Sequence, residues 1–265
     1  MPLKNLFKSA RRKLLFYLSA GNNPIYIGYY KYIYKPKPGS LAHHLSLLSE
    51  NIEDLFVVQV GANDGMTHDP IHKFIKRDQW RGVLLEPQVP VFRKYLARLY
   101  RDQEGVEVVN AALGTNDGEA SLYCIGFSDA RWATGLASFD RSVLEKAFSS
   151  GHVQRQVKKE GIEIPDNEAE KIVEVKVPVL TVDTLVEKFD IRKIDLLQVD
   201  TEGFDFEIIK LFDLHKIKPR AISYENMHLS PQDRTACEDY LNEHNYTIRH
   251  FGGNTLAVEP GLTGT

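Results

Sequence analysis

The sequence has little cysteine and no long apolar run. Its 265 residues include only Cys124 and Cys237, which lie far apart and have no further ligand-type residue at metal spacing. A disulfide framework and a zinc site are therefore not indicated, and both thiols are expected to be reduced. No apolar run approaches the ~20 residues that a membrane-spanning helix needs. We expect a protein of the cytoplasm, with the inner face of a membrane as an alternative location.

Acidic residues are missing from the N-terminal part of the chain. The first acid is Glu50, whereas residues 1–40 hold eight of the 33 basic residues: Lys4, Lys8, Arg11, Arg12, Lys13, Lys31, Lys35 and Lys37. The net charge of −3 therefore combines a basic segment with an acidic remainder. A remainder of that charge argues against nucleic acid as a partner.

Residues 1–40 are predicted to be an N-terminal segment that precedes the main domain. Residues 1–20 have the pattern of a basic amphipathic helix, a tyrosine-rich stretch follows, and residues 35–40 have the composition of a linker. Basic and aromatic residues suit an anionic membrane surface. The alternative is a solvated tail that packs loosely on the domain. Residues 41–260 are predicted to form one α/β domain, in which residues 126–170 are an irregular insert that could act as a substrate lid.

Alternating strands and helices predict a parallel sheet within this domain. The first strand, residues 55–58, leads through the turn 61–65 into a helix with Ile71, Phe74 and Ile75 on its apolar face. Further strands are predicted over residues 82–87, 106–110, 173–179, 194–199 and 220–224, with a closing antiparallel pair at 246–250 and 255–258. Residues 128–135 are predicted to be a loop, and residues 151–170 to be polar and mobile.

The turn Gly61-Ala62-Asn63-Asp64-Gly65 is a candidate binding corner. Glycines let the backbone approach a ligand, and free N–H groups at a helix start face a negative group. The spacing Gly-x-x-x-Gly matches neither the dinucleotide fingerprint nor the P-loop, so a simple strand-to-helix turn is the alternative.

Polar residues at strand ends are the other candidates, because ligands of open α/β sheets bind outside the carboxyl ends of the strands. Glu86 follows the second strand, 25 residues after Gly61, where a carboxylate can accept hydrogen bonds from both ribose hydroxyls of a nucleoside. Its alternative role is to cap the next helix. The remaining strand-end candidates are Asn110, Asp200, Glu202, Glu225 and His228.

The chain resembles the FkbM family of class I S-adenosylmethionine-dependent methyltransferases in several motifs. These are residues 60–65 (VGANDG), 85–87 (LEP), 110–114 (NAALG), 181–185 (TVDTL), 195–205 (DLLQVDTEGFD) and 224–228 (YENMH). The resemblance implies a Rossmann-like fold, with a seven-stranded, mostly parallel sheet, a final antiparallel strand and helices on both faces. It also implies methyl transfer, usually to oxygen.

Carried over by position, the resemblance implies a set of cofactor contacts. Gly61, Ala62, Asn63, Asp64 and Gly65 would hold the methionine part of S-adenosylmethionine. Glu86 would hold the ribose, and Asn110 with Ala111 would edge the adenine. Many members have an acid two residues before the first glycine, whereas this chain has Gln59 there. An amide can brace the turn but gives the cofactor's ammonium no counter-charge, which Asp64 or Asp200 would then supply.

The catalytic candidates are His228, Glu225, Asp200 and Glu202. The sulfonium is already activated, so the enzyme must align the acceptor with the methyl group and take up a proton, a role that suits His228. The three carboxylates would orient the histidine or hold a sugar-like acceptor. Alternatively, Asp200, Glu202 and Glu225 would bind Mg²⁺. The non-catalytic alternatives are that Asp200 and Glu202 cap helices and that His228 is an ordinary surface residue.

We therefore expect an O-methyltransferase that acts on a glycan or another polyhydroxylated acceptor. A non-catalytic module that binds a nucleoside or a glycan is one alternative. A nicotinamide-dependent oxidoreductase is another, disfavoured because the Gly-x-Gly-x-x-Gly fingerprint is missing.

Four further histidines, His43, His44, His68 and His72, are expected to lie on the surface. His68 and His72 have the spacing of neighbours on one helix face, and a metal pair is the alternative for them.

Overall fold

The computed structural model describes residues 3–262, with side chains from residue 10 onward. The strands are β1 (Phe56–Val60), β2 (Arg81–Leu85), β3 (Val106–Val109), β4 (Ala112–Leu113), β5 (Gly118–Ile125), β6 (Ile172–Leu180), β7 (Leu196–Val199), β8 (Ala221–Glu225), β9 (Thr247–Phe251) and β10 (Asn254–Val258).

The helices surround these strands, and the first three helices precede β1 in the sequence. They are α1 (Leu3–Ala20), α2 (Pro24–Gly28), α3 (Leu41–Asn51), α4 (His72–Asp78), α5 (Val89–Val91), α6 (Ala97–Leu99), α7 (Arg131–Thr134), α8 (Arg141–Ser149), α9 (His152–Glu160), α10 (Glu168–Lys171), α11 (Val182–Lys188), α12 (Asp205–Leu211) and α13 (Pro231–Glu243). A π-helical turn, Tyr29–Ile33, continues α2, and another, Phe92–Leu96, joins α5 to α6. No helix within residues 3–262 is long and apolar enough to cross a bilayer.

Seven strands form the main sheet in the order β3-β2-β1-β7-β8-β10-β9. Neighbouring strands from β3 to β8 pair in parallel, whereas the chain-final strand β10 is antiparallel to both β8 and β9. Alternate residues of β1 enter different cores, since Val58 and Val60 pack on one face and Val57 on the other. The predicted mostly parallel sheet with a final antiparallel strand and helices on both faces is therefore confirmed.

The carboxyl ends of β1, β2, β7 and β8 lie at the same edge of this sheet, because the four strands are parallel. The predicted strand-end residues Gly61, Glu86, Asp200 and Glu225 consequently share that edge. Two of the strands, β7 and β8, are direct neighbours.

The insert 126–170 is more regular than the sequence predicts. The predicted loop at residues 128–135 contains α7, and the predicted mobile stretch 151–170 contains α9 and α10. Helix α9 buries Val153 and Val157, four residues apart, in a small core with Leu144 and Ile172. The predicted loop was wrong, whereas the mobility of residues 151–170 stays a prediction. Two apolar residues among charged neighbours give only a weak helical pattern in the sequence, and packing against β5 and β6 stabilises the helix.

The N-terminal segment packs on the domain through residues 16–26. Phe16 and Ala20 contact the core beneath α3 and α4. Tyr26 is buried against His72 of α4. Asn22 connects the same surfaces, because its Nδ2 donates to Asp102 O (2.8 Å) and its Oδ1 accepts from Lys76 Nζ (2.8 Å).

His72 is the centre of this contact. Its Nε2 lies 3.0 Å from Ser19 Oγ and 3.3 Å from Tyr26 OH, and its Nδ1 lies 2.9 Å from Tyr100 OH. The expected surface position was wrong for His72, which is only 4% exposed. His68 precedes α4 with a φ of 62°, so the two histidines do not share a helix face.

Acidification is expected to weaken the protein through His72. Burial lowers the pKa of His72 to about 3, whereas an unfolded chain holds a histidine near ~6.5. As the pH falls below the unfolded value, the unfolded state binds the proton first, so this contribution to stability is lost between those two values. It amounts to roughly 2 kcal/mol between pH 6.5 and 4.5. Urea unfolding should show a steeper acid loss in the wild type than in His72→Gln, and equal slopes would contradict the assignment.

Candidate active site

The glycine turn after β1 fits only a residue without a side chain at its first position. Gly61 has a φ of 81°, and a Cβ there would lie 2.0 Å from Asp200 O. The backbone N–H groups of Gly61 and Ala62 both donate to Leu85 O, at 3.1 and 2.9 Å. The turn therefore holds the ends of β1, β2 and β7 in close contact.

The second half of the turn faces the protein interior. A Cβ at Gly65 would lie 2.7 Å from a Leu96 methyl carbon, and Ala62 packs in the same core. The Asp64 carboxylate accepts hydrogen bonds from the backbone N–H groups of Met66 and Thr67 and from the Thr67 hydroxyl. These bonds close the loop on itself, so Asp64 is engaged locally.

Glu86 is a buried carboxylate with backbone partners on both oxygens. Its Oε2 accepts from Asn63 N–H and its Oε1 from Gln88 N–H, each at 2.8 Å. Only 2% of Glu86 is exposed, and burial raises its pKa to about 7. The bond to Gln88, just before α5, is the capping alternative. Each oxygen keeps a second acceptor site, so a role in ribose binding stays a prediction.

Asn110 supports the loop after β2. Its Nδ2 donates to Glu86 O (2.8 Å) and Pro87 O (3.0 Å). The neighbouring Ala111 lines the cavity described next, whereas Asn110 is outside the lining. Adenine contacts through Ala111 and Asn110 both stay predictions, and Ala111 is the one of the two that lines the cavity.

A cavity of about 680 Å³, including its open mouth, lies at this edge of the sheet. Gly61, Asn63 and Glu86 form one side of it, and the apolar run Ala111–Leu113 forms another. The insert supplies residues that the sequence reasoning missed: Thr134, Gly135, Ala137, Ser138 and Phe139. Their signal in the sequence is weak, because these residues, four of them small, lie in a stretch with no strand-end position to mark them.

Arg131 and Trp132, at the start of α7, lie where the insert meets the strand ends. Arg131 lines the cavity, and Trp132 lines a wider cleft beside it. The cleft and the cavity share Arg131, Gly135, Asp200 and Glu202.

Asp200 is one of two carboxylates, with Glu202, that line both spaces. Burial, followed by the charges of Glu225 and Glu202, raises its pKa well above the ordinary value. Gln59 does not brace the glycine turn, since its Nε2 donates to Asp69 Oδ2 (2.8 Å) ahead of α4. Because Asp64 is engaged by Thr67, Asp200 is the better placed of the two candidates for a cofactor ammonium.

Glu202, Glu225 and His228 form a compact cluster in the cleft. His228 Nδ1 lies 2.8 Å from Glu202 Oε2 and 3.0 Å from Glu225 Oε2. The acceptor carboxylates of Glu202 and then Glu225 raise the pKa of His228 to about 10, because they favour the imidazolium that donates to them. The structure thus brings together three of the predicted catalytic residues, with Asp200 adjoining them at the end of β7.

Asp205, at the start of α12, braces this cluster and was not predicted as a site residue. Its Oδ2 accepts from Gly203 N–H (3.2 Å), and its Oδ1 accepts from Glu225 N–H (3.3 Å). It therefore connects the loop that carries Glu202 to the end of β8. Burial raises the pKa of Asp205 to about 7.

The predicted metal set differs in one member from the cluster in the structure, and metal binding at this place stays a prediction. Glu202, Glu225 and His228 are the group in residues 3–262 whose ligand atoms lie within 4.8 Å of one another, and Asp200 is not part of it. Mg²⁺ prefers all-oxygen ligands, whereas an imidazole nitrogen suits transition metals. The three predicted carboxylates are therefore not the set that the structure assembles.

One family model and several solved structures match the chain. Residues 59–248 match a family model described as the methyltransferase FkbM domain. Solved structures that align with the chain include methyltransferase FkbM from Methylobacillus flagellatus KT, at 13% identity over 94% of this chain and 59% of that chain, with a TM-score of 0.46. Another is the O-methyltransferase TomG from Streptomyces achromogenes, involved in tomaymycin synthesis and solved with SAM, at 14% identity over 86% of this chain and 82% of that chain, TM-score 0.40.

The present chain spans about three-fifths of the length of the Methylobacillus protein. No curated protein matches the sequence.

Proposed function

Because the chain belongs to the FkbM methyltransferase family and is an S-adenosylmethionine-dependent methyltransferase, we propose that it methylates a hydroxyl group of a glycan or another polyhydroxylated acceptor. The observation that carries this proposal is the cluster of His228, Glu202 and Glu225, which adjoins Asp200 and the cofactor cavity. A proton acceptor beside several carboxylates suits an acceptor that presents several hydroxyls.

The cavity has the chemistry that the cofactor requires. Glu86 is available to the ribose hydroxyls, Ala111 offers an apolar face to the adenine, and Asn63 and Gly61 bring backbone to the methionine part. Many members of the family have an acid where this chain has Gln59, and Asp200 would take over its role. A cofactor ammonium beside Asp200 would favour the ionised carboxylate and so oppose the rise in its pKa. When bound, S-adenosylmethionine supplies a methyl group that is already activated by its sulfonium.

His228 takes up the acceptor's proton in this proposal. Its Nδ1 faces Glu202 and Glu225, so Nε2 is the nitrogen that exchanges the titrating proton. At neutral pH the pKa of about 10 leaves most molecules with an imidazolium. The reactive form is the small neutral fraction, whose basicity is correspondingly high.

The cleft beside the cavity suits a sugar ring. Glu202 and Glu225 can accept hydrogen bonds from neighbouring hydroxyls, and Trp132 offers a flat aromatic surface. Arg131 lies at the junction of the cavity and the cleft, where it offers a donor to a sugar oxygen.

A transfer assay with radiolabelled S-adenosylmethionine tests the proposal. Neutral oligosaccharides, sugar phosphates, catechols, primary amines and thiols would be offered in parallel, with products mapped by mass spectrometry. We expect a methyl ether on a sugar hydroxyl. Transfer confined to amines or thiols would overturn it. Thermal shifts with S-adenosylhomocysteine, with NAD as the control, check the folded cofactor site separately.

Glu86→Ala is expected to weaken S-adenosylhomocysteine binding by about 1–3 kcal/mol, the usual effect of removing a charged hydrogen-bond acceptor. The physical reason is twofold, because the side chain both faces the cavity and holds Asn63 N–H in place. Glu86→Gln is the matched control, since it keeps one carbonyl acceptor and should lose less. Calorimetry that gives the same affinity for wild type and alanine variant would remove Glu86 from the cofactor site.

A further inference from the structure

Most of the exposed large apolar side chains described by the structure lie in one short segment. Ile25, Tyr32 and Ile33 are 83%, 76% and 68% exposed, and Leu14, Tyr17 and Tyr29 are exposed as well. In the rest of the described chain this group comprises only Val175, Phe204 and Met227. A concentration of this kind marks an interaction surface.

Helical spacing separates the two faces of this segment. Tyr26, Tyr30 and Tyr34 follow one another at intervals of four and contact edge to face, with ring centroids 5.1 and 5.5 Å apart. They lie toward the domain, and Tyr26 is buried there. Ile25 and Ile33 are each one residue earlier than a member of this inner row. They therefore belong to an adjacent row that faces solvent, and Tyr29 lies between them.

Contacts of the inner face attach the segment to the domain. Tyr26 and Ser19 contact His72, and Asn22 accepts a hydrogen bond from the buried Lys76. The exposed apolar side chains therefore project from a fixed surface, so little ordering entropy is lost when they meet a partner.

The positive charge of residues 1–40 indicates an anionic partner. Residues 1–40 contain eight basic residues and no acid, and Arg11, Arg12, Lys13, Lys31, Lys35 and Lys37 are all exposed. We propose that residues 11–37 form a docking surface for an anionic lipid bilayer, with the apolar side chains in the interface and the cations near the headgroups. Tyrosines suit this depth, because the ring is apolar and the hydroxyl stays wet.

Helix α1, the first part of this docking surface, reaches the acceptor cleft. Arg12 lines the cleft that contains His228, so docking would place the cleft mouth at the bilayer surface. On the proposed function, this arrangement favours an acceptor that is anchored in the membrane. The docking surface itself does not depend on that function, because it is defined without an acceptor.

Vesicle co-sedimentation of the full chain tests the proposal. Phosphatidylcholine vesicles with and without 30% phosphatidylglycerol would be compared at low and high salt. We expect binding to the anionic vesicles only, weakened by salt. Ile25→Ser/Tyr32→Ser/Ile33→Ser should lower the partition coefficient at least about tenfold, whereas the control Val175→Ser, at an exposed apolar residue elsewhere, should not.

A charge variant gives an independent measurement. Lys31→Gln/Lys35→Gln/Lys37→Gln should reduce binding by about a hundredfold, given about 1 kcal/mol for each of the three cations near such a surface. Lys146→Gln/Lys158→Gln/Lys188→Gln is the control, because these exposed lysines lie outside residues 11–37.

Three results would overturn the docking surface. They are equal binding to neutral and anionic vesicles, patch variants that bind like the wild type, and a patch that only mediates self-association in light scattering. Point variants are used because deletion of residues 1–40 would also remove the core contacts of Tyr26. Neither vesicle binding nor its absence bears on the transfer assay, so the two proposals fail separately.

Discussion

Replacing His228 by alanine is expected to lower the rate of methyl transfer by ~10²–10⁴, the usual contribution of a general base. The loss should appear in kcat, because His228 lies in the acceptor cleft and is not part of the cofactor cavity lining. The affinity for S-adenosylhomocysteine, measured by calorimetry, should stay close to that of the wild type.

The pH dependence distinguishes this role from a structural one. Below its pKa of about 10 the neutral fraction of His228 grows about tenfold for each pH unit, so the wild-type rate should rise through neutral pH and level off only near that value. Glu225→Gln removes one of the carboxylates that raise the pKa, so its inflection should move toward lower pH. A His228→Ala enzyme with the wild-type rate at every pH would end the base assignment.

A rate that falls to zero with EDTA and returns with a divalent ion would identify Glu202, Glu225 and His228 as metal ligands instead. Loss of the pH inflection in His228→Ala without any effect of EDTA would favour the base.

Gly61→Ala is expected to abolish measurable cofactor binding and to lower the stability of the whole domain. A Cβ would lie 2.0 Å from Asp200 O, and the φ of 81° is itself unfavourable for alanine. Overpacking of about 1–3 kcal/mol and left-handed backbone strain of about 1–2 kcal/mol add at this site. To relieve the contact, the ends of β1 and β7 must separate. This separation displaces both Asn63 and Asp200 from their positions in the site.

Gly252→Ala is the matched control. Gly252 also has a positive φ, 65°, but a Cβ there would meet no atom within 4 Å. The Gly252→Ala variant should therefore lose only the stability that corresponds to the backbone strain. The substitution lies in the hairpin between β9 and β10, outside the glycine turn. Thermal unfolding and calorimetry with S-adenosylhomocysteine measure both variants. If Gly61→Ala bound the cofactor as tightly as Gly252→Ala does, the turn would not be part of the site.

The sheet could be predicted because its strands are buried on both faces and end in polar residues. Leu197 and Val199 in β7 and Val58 and Val60 in β1 belong to one continuous core, and such apolar runs are visible in the sequence. The order of the strands placed Glu202 and Glu225 on neighbouring ends. Their meeting with His228 followed from that order.

Other features depend on contacts between distant parts of the chain. His72 is buried among Ser19, Tyr26 and Tyr100, all distant from it in the sequence, and nothing near it in the sequence indicates these contacts. The pKa of His228 depends on two oxygen atoms within 3.0 Å of one nitrogen, a distance that residue spacing does not encode. Thr134 and Phe139 join the cofactor cavity because the insert folds back over it.

The wall shared by the cavity and the cleft has a thermodynamic consequence. Arg131, Gly135, Asp200 and Glu202 contribute to both spaces, so a ligand in one space changes the charge and the freedom of residues that a ligand in the other must meet. The two binding equilibria are then linked, and the linkage is reciprocal: any factor by which the donor alters acceptor affinity is returned in donor affinity. Whichever of the two ligands binds first, it changes the affinity for the second by the same factor.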